Sequence, residues 1–239
     1  MAVVSARGAR VSYSRTGTGA PVLLIQGVGA TGDAWRPQVD GLHDRFSLIT
    51  FDNRGIGAST ITDGSVSIEA MADDALAILD AEGVDRCHVV GHAMGGLVAM
   101  QLALTSPRRV RSLTLLSTFP IGKIGSRLTW RNIRTVIRTL VGIEPSIIRR
   151  QLRAMSRFDP TWRLRCLAAT RTLVVTGKQD RIALPEHGRK LASAIPGATY
   201  LELENAGHVM PIESAALINR LLAEHMTDVG HLSATRKQG

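Results

Sequence analysis

Cysteine is nearly absent. Two in 239 residues, Cys87 and Cys166, are too few for a disulfide framework and stand in no metal-ligand spacing. Aromatic side chains are scarce as well, with four Phe, two Tyr and three Trp. The chain therefore offers no stacking platform for nucleic-acid bases, and no groove-reading motif accompanies its charge, so nucleic acid is not expected as a partner. No apolar run is long enough to span a bilayer, and the first residues lack a basic-then-apolar signal segment, which leads to the expectation of a soluble cytoplasmic protein. No internal repeat is visible. No cofactor and no metal is expected, and no oligomeric state follows from the sequence.

Hydrophobic residues make up 44% of the chain, enough for one well-cored domain. Short apolar strands alternate with helical stretches, which predicts an α/β architecture: a mainly parallel twisted sheet with helices on both faces. The stretch from Ser67 to Glu82 illustrates the helical part. Ile68, Met71, Ala75, Leu76 and Leu79 fall on one face, Asp73, Asp74 and Asp80 elsewhere, and Gly83 ends it.

The sequence Gly91-His92-Ala93-Met94-Gly95 has the form of a Gly-x-Ser-x-Gly nucleophile elbow with alanine in the serine position. Cys87 to Val90 reads as a strand and Gly95 to Leu104 as a helix ended near Pro107, the strand–turn–helix context that the motif requires. Such a turn strains its central residue, so its neighbours must be small: Gly91 and Gly95 give room, and Gly96 lets the helix approach the sheet. An alanine methyl cannot attack a carbonyl.

Upstream, the apolar strand Pro21 to Ile25 runs into Gln26-Gly27-Val28-Gly29. Acyl-transfer chemistry needs two N–H donors for the developing oxyanion, and the amides of Val28 and Met94 are the candidates. Downstream, the strand Arg171 to Thr176 ends in Gly177-Lys178-Gln179-Asp180, and Thr199 to Leu203 leads to Asn205-Ala206-Gly207-His208. An acid and then a histidine, each just past a strand end, complete the order nucleophile, acid, base. Ser117-Thr118-Phe119-Pro120, after the strand Val110 to Leu116, offers no rival carboxylate. His92 reads as a supporting or pocket-lining residue, Trp35 as packing near the pocket mouth, and Asp52 with Arg54 as a turn pair beside the oxyanion strand.

With these residues in place the chain resembles the α/β-hydrolase superfamily, in its esterase and enol-lactonase-like branch. The match runs from about residue 10 to 226 and includes Phe51 to Ser59, similar to the family's Asp-x-Arg-Gly-x-Gly-x-Ser turn. Two departures stand out: Gln26 replaces the first residue of the usual His-Gly pair, and Ala93 replaces serine. The resemblance implies a small-molecule ester, thioester or lactone as substrate, catalytic positions 93, 180 and 208, an oxyanion hole at Val28 and Met94, and substrate contacts from Gln26, Gly27, His92, Trp35 and Trp130. It divides the chain into a core over 1–118, a short basic helical cap over 119–165, a second core part over 166–227 and a flexible tail over 228–239.

Charge concentrates in that cap. The formal net charge is +9, yet Arg108 to Arg171 holds fifteen basic residues against Glu144 and Asp159, more than the whole net charge. Over 126–141, Arg127, Arg131, Arg134 and Arg138 recur at helical spacing opposite Trp130, Ile133, Val136, Ile137 and Leu140; a second amphipathic piece runs from Pro145 to Phe158. Three readings of this cap stand side by side: a solvated face, which is favoured, a field that steers anionic substrates, or contact with an anionic membrane surface.

Three functional readings also follow. The chain is a hydrolase scaffold whose hydrolysis is severely impaired by Ala93, or a non-hydrolytic enzyme using a His208–Asp180 dyad as general base, or a ligand-binding pseudoenzyme.

Overall fold

Runs of Val, Leu and Ile bounded by glycine build the centre of the molecule. In strands β3 (Ala20–Ile25), β6 (Cys87–His92), β7 (Val110–Leu116) and β8 (Arg171–Gly177), Val22 to Ile25, Val89, Val90, Leu113, Leu115 and Leu173 to Val175 are all buried. Strands apolar on both faces belong in the interior of a parallel sheet covered on both sides. A computed structural model of the chain describes residues 1–63, 65–119 and 144–227.

The sheet also contains β1 (Ala2–Ala6), β2 (Ala9–Thr16), β4 (Phe46–Phe51), β5 (Thr60–Ile61) and β9 (Thr199–Leu203), in the order β1-β2-β4-β3-β6-β7-β8-β9, with β5 on β2. The pairs made by β1, β2 and β5 are antiparallel, and every pair from β4 onward is parallel. The α/β-hydrolase fold expected from the sequence is therefore present: a mixed, mainly parallel sheet between helical layers.

One apolar cluster joins one face of the sheet to α2 (Ile68–Ala81), α3 (Met94–Thr105), α4 (Pro145–Arg157) and α5 (Pro185–Ala194). A second joins the other face to α1 (Arg36–Leu42), the short α6 (Met210–Glu213) and α7 (Ala215–Met226). Helix α2 is capped by Ser67, whose hydroxyl accepts from the Ala70 amide, and it stops at Gly83, which adopts φ +61°.

Two expectations need correction here. Asp74 does not belong to the polar side of α2: it is fully buried, and its carboxylate takes two hydrogen bonds from Arg54, at 2.7 and 2.6 Å. Arg54 therefore pairs with α2 rather than with Asp52. Asp52 instead accepts from the amides of Gly32 at 2.7 Å and Ala58 at 2.9 Å, holding the loop after β4 to the segment that follows β3.

The second amphipathic piece, expected from Pro145 to Phe158, forms as α4. The expected helix over 126–141, with Trp130, Arg127, Arg131, Arg134 and Arg138, lies outside the described residues, as does the tail after 227. Among the described residues, no helix is long and apolar enough to cross a membrane, and no cluster of three or more His, Cys, Asp or Glu is placed to hold a metal ion.

Candidate active site

Four strand ends converge at one edge of the parallel sheet, and each delivers one part of the site. At the end of β6 the chain turns abruptly into α3. Ala93 occupies the corner with φ 50° and ψ −115°, a conformation that L-residues rarely adopt and that costs on the order of 1–3 kcal/mol.

Three glycines make the corner sterically feasible. A Cβ on Gly91 would fall 2.3 Å from the Gly95 carbonyl oxygen, one on Gly95 2.0 Å from that of Ile25, and one on Gly96 2.6 Å from the Thr118 side chain. The corner is then pinned by hydrogen bonds. The Ala93 amide donates to the Leu116 carbonyl at 3.0 Å, and the Thr118 hydroxyl donates to the Ala93 carbonyl at 2.7 Å. Thr118 has no distinguishing mark in the sequence, since a threonine after a strand signals nothing about which neighbour it holds.

The loop after β3 passes close beside this corner. A Cβ on Gly27 would lie 3.2 Å from the Ala93 methyl, so a side chain at 27 would press on the corner. Hydrogen bonds in this region engage neighbours of Val28 and Met94: Ala30 donates to Gly27, Gly96 donates to Ala93, and the Gly29 amide donates to Oε1 of Gln151 at 2.9 Å. Gln151 lies on α4 and is fully buried, so the basic helix reaches directly to the loop after β3. This residue was not legible in the sequence, where it reads as one polar position among arginines.

Asp180 and His208 come from the next strand ends. Asp180, on the loop after β8, is 2% exposed. Its Oδ1 accepts from the amides of Ile182 and Ala183, both at 2.8 Å, and its Oδ2 lies 2.9 Å from Nδ1 of His208. With one oxygen fixed by two amides, the carboxylate presents the other to the imidazole in a set orientation. His208, on the loop after β9, is part-buried. The two loops are strapped together by Lys178 donating to Leu203 at 2.9 Å and Gln179 donating to Ala206 at 3.0 Å. Gly177 permits this approach, because a Cβ there would stand 2.2 Å from the Ala206 carbonyl oxygen.

His92 ties the pieces together. Its Nε2 is 2.8 Å from the His208 carbonyl oxygen, and its Nδ1 is 3.3 Å from Oε1 of Gln26. Both nitrogens face oxygen acceptors, and a neutral ring can donate to one of them; the shorter contact takes the proton. Burial, with the nearby His208 adding to it, pushes the His92 pKa down to about 4, so the ring is neutral at physiological pH. Gln26 is itself anchored: its carbonyl accepts from Asn53 Nδ2 at 3.1 Å and its Oε1 accepts from the Gly27 amide at 3.1 Å. Trp35 is fully enclosed and lies edge-on to His92, with ring centroids 6.4 Å apart. Its influence on the site therefore runs through His92 and not through an open pocket mouth.

A histidine–carboxylate pair at the carboxyl edge of a parallel sheet, beside a strained strand–turn–helix corner, defines a hydrolase-type α/β scaffold. The chain belongs to the alpha/beta hydrolase fold family, whose profile matches residues 20–140. It is similar to the protein of Azorhizobium caulinodans that bears the name carbamate hydrolase RutD, with 46% identity over 105 residues, 44% of this chain and 40% of that protein. It is also similar to the dihydrolipoyllysine-residue acetyltransferase component of the acetoin cleaving system of Cupriavidus necator, 31% identical over an alignment of 254 positions, gaps included, that covers 92% of this chain and 67% of that one. Among solved structures, a thermophilic esterase from Thermogutta terrifontis superposes with a TM-score of 0.81 at 26% identity, covering 93% of this chain and 96% of its own.

Proposed function

We propose that this chain is built for hydrolysis of a carboxylic ester, thioester, lactone or carbamate, and that Ala93 severely impairs that reaction in the chain as it stands. The observation that carries the reading is the His208–Asp180 pair, 2.9 Å from nitrogen to oxygen, held beside a corner that keeps its strained backbone at position 93. A serine hydrolase presents its nucleophile on a strained strand–turn–helix corner and orients its base with a carboxylate, and the two observations support that reading. Similarity to a carbamate hydrolase and to an esterase fits this substrate range, since carbamates and esters both present a carbonyl carbon to an attacking oxygen.

With serine at 93, His208 would accept the hydroxyl proton through Nε2 while Nδ1–H donates to Asp180. The amides of Val28 and Met94 would receive the charge developing on the carbonyl oxygen. With alanine no acyl intermediate forms, and the remaining donors supply residual catalysis of about a thousandfold to ten-thousandfold over water. Gln26, Gly27 and His92 frame the reacting centre and Trp35 backs His92; the family resemblance adds Trp130, which lies outside the described residues, as a substrate contact.

A second reading rests on the same dyad. An imidazole oriented by a buried carboxylate can abstract a proton from a C–H or O–H acid with no serine present, and a pocket kept without turnover would be a ligand-binding pseudoenzyme. Turnover of a short-chain aryl ester by the chain and by Ala93→Ser separates these readings. Restored serine should raise kcat/KM by at least about a thousandfold, and His208→Ala should abolish the gain. A folded Ala93→Ser protein with no gain would reject the hydrolase reading in favour of general-base chemistry or ligand binding.

A further inference from the structure

Three arginines of α4, Arg150, Arg153 and Arg157, follow one another at steps of three and four and so share one face of the helix. That face lines a cleft of about 410 Å³ whose opposite wall is the start of α2, with Ser65, Ser67 and Glu69. None of the lining residues belongs to the elbow, the dyad or the oxyanion loop. Arg150 is half-buried, and Arg153 and Arg157 are exposed.

The charge in this cleft is unbalanced. None of the ion pairs formed among the described residues takes up any of the three guanidiniums. Like charges three and four residues apart on a helix repel one another. Glu69 offsets one positive charge, leaving the cleft two charges positive. The facing helix begins here; Ser67 caps the Ala70 amide, and the remaining first-turn amides, together with the helix dipole, add positive potential of the same sign. Arginine forks match the oxygens of phosphate in paired hydrogen bonds. A dianion balances the cleft, whereas a monocarboxylate would leave it charged.

We propose that this cleft is a binding site for a small phosphate-bearing ligand, a phosphate monoester or free phosphate, held between the arginine face of α4 and the first turn of α2. The site does not depend on chemistry at position 93, so the chain is tested as it stands. Isothermal titration with inorganic phosphate and with phenyl phosphate, at low and at moderate salt, reads the binding directly. Tighter binding of phenyl phosphate identifies the monoester as the ligand, and tighter binding of inorganic phosphate identifies the free ion; either supports the site. Arg150→Gln, Arg153→Gln and Arg157→Gln should each weaken binding by about tenfold, the weight of one charge-assisted contact. Arg149→Gln, on the same helix but outside the cleft, should change it little. Equal losses from Arg149→Gln and the cleft variants would overturn the proposal, because the arginines would then act only as general positive charge. So would no measurable binding of either anion to the folded chain.

Discussion

Nε2 of His92 lies 2.8 Å from the carbonyl oxygen of His208, so the corner at Ala93 and the loop carrying His208 are joined by a hydrogen bond from a buried imidazole. That bond makes the neutral form of His92 part of the fold, and it gives acid stability a defined direction. The His92 pKa is pushed down to about 4, chiefly by burial, and burial, aided by Arg171, does the same to His225 on α7.

A histidine depressed in the folded state remains neutral there while the unfolded chain takes up a proton below its ordinary value of about 6.5. Stability is therefore present in full above that value and falls as pH drops from 6.5 toward 4. Each of the two histidines contributes a loss of up to about 2 kcal/mol by pH 5. Urea midpoints measured at pH 7.5, 6 and 5 should decline, and His225→Gln should make the decline shallower. A stability that stays flat across this interval would show that neither ring is held neutral.

The pair formed by Arg54 and Asp74 leads to a second expectation. Burial pushes the Asp74 carboxyl up from its ordinary range, and the hydrogen bonds from Arg54 pull it back. Arg54 also donates to the carbonyls of Ser65 at 3.0 Å, Arg7 at 3.1 Å and Ala70 at 3.2 Å, so its guanidinium gathers the loop after β4, the first hairpin and the start of α2. Removing its counter-charge leaves a buried cation held by carbonyls alone. Asp74→Ala should cost about 3–5 kcal/mol in chemical denaturation, far more than the same change at exposed Asp73 on the same helix. A loss at position 74 no larger than at 73 would mean that water reaches Arg54 and that the pair is not sealed.

What the sequence made legible, and what it did not, divides along a physical line. The corner at Ala93 could be read because steric demand writes itself locally: Gly91, Gly95 and Gly96 stand within a few residues of the position they serve. Asp180 and His208 were readable as candidates because each follows an apolar strand, and strand ends of a parallel sheet gather at one edge. Arg54 and Asp74 were misassigned for the opposite reason. They are twenty residues apart, and on helical periodicity alone Asp74 looks like part of a polar face; only the packing of α2 on the loop after β4 brings them together. Thr118 and Gln151 carry no local signal, because their work consists of single hydrogen bonds to distant backbone groups, Ala93 and Gly29.

Gln151 is the most consequential of these, and it supplies the last expectation. Its Oε1 accepts the Gly29 amide proton, while its Nε2 is buried without a partner among the described residues. An unpartnered buried amide costs roughly 1–3 kcal/mol, an expense that packing alone does not require. Gln151→Met removes the bond to Gly29 and the unpaired nitrogen together, so the two effects on stability should nearly cancel. The bond to Gly29, however, fixes the residue next to Val28, whose amide is the proposed oxyanion donor. In the Ala93→Ser background, Gln151→Met should lower kcat by about tenfold, less than the hundredfold or more that follows outright loss of an oxyanion donor. KM should barely change, because the donor acts on charge that appears only in the transition state. Steady-state kinetics alongside thermal unfolding separate the outcomes. A fall in kcat at unchanged melting temperature marks Gln151 as a positioning residue for the oxyanion loop, whereas a rise in KM alone would make it a substrate contact, and loss of stability with normal kcat would reduce it to a strut between α4 and the sheet.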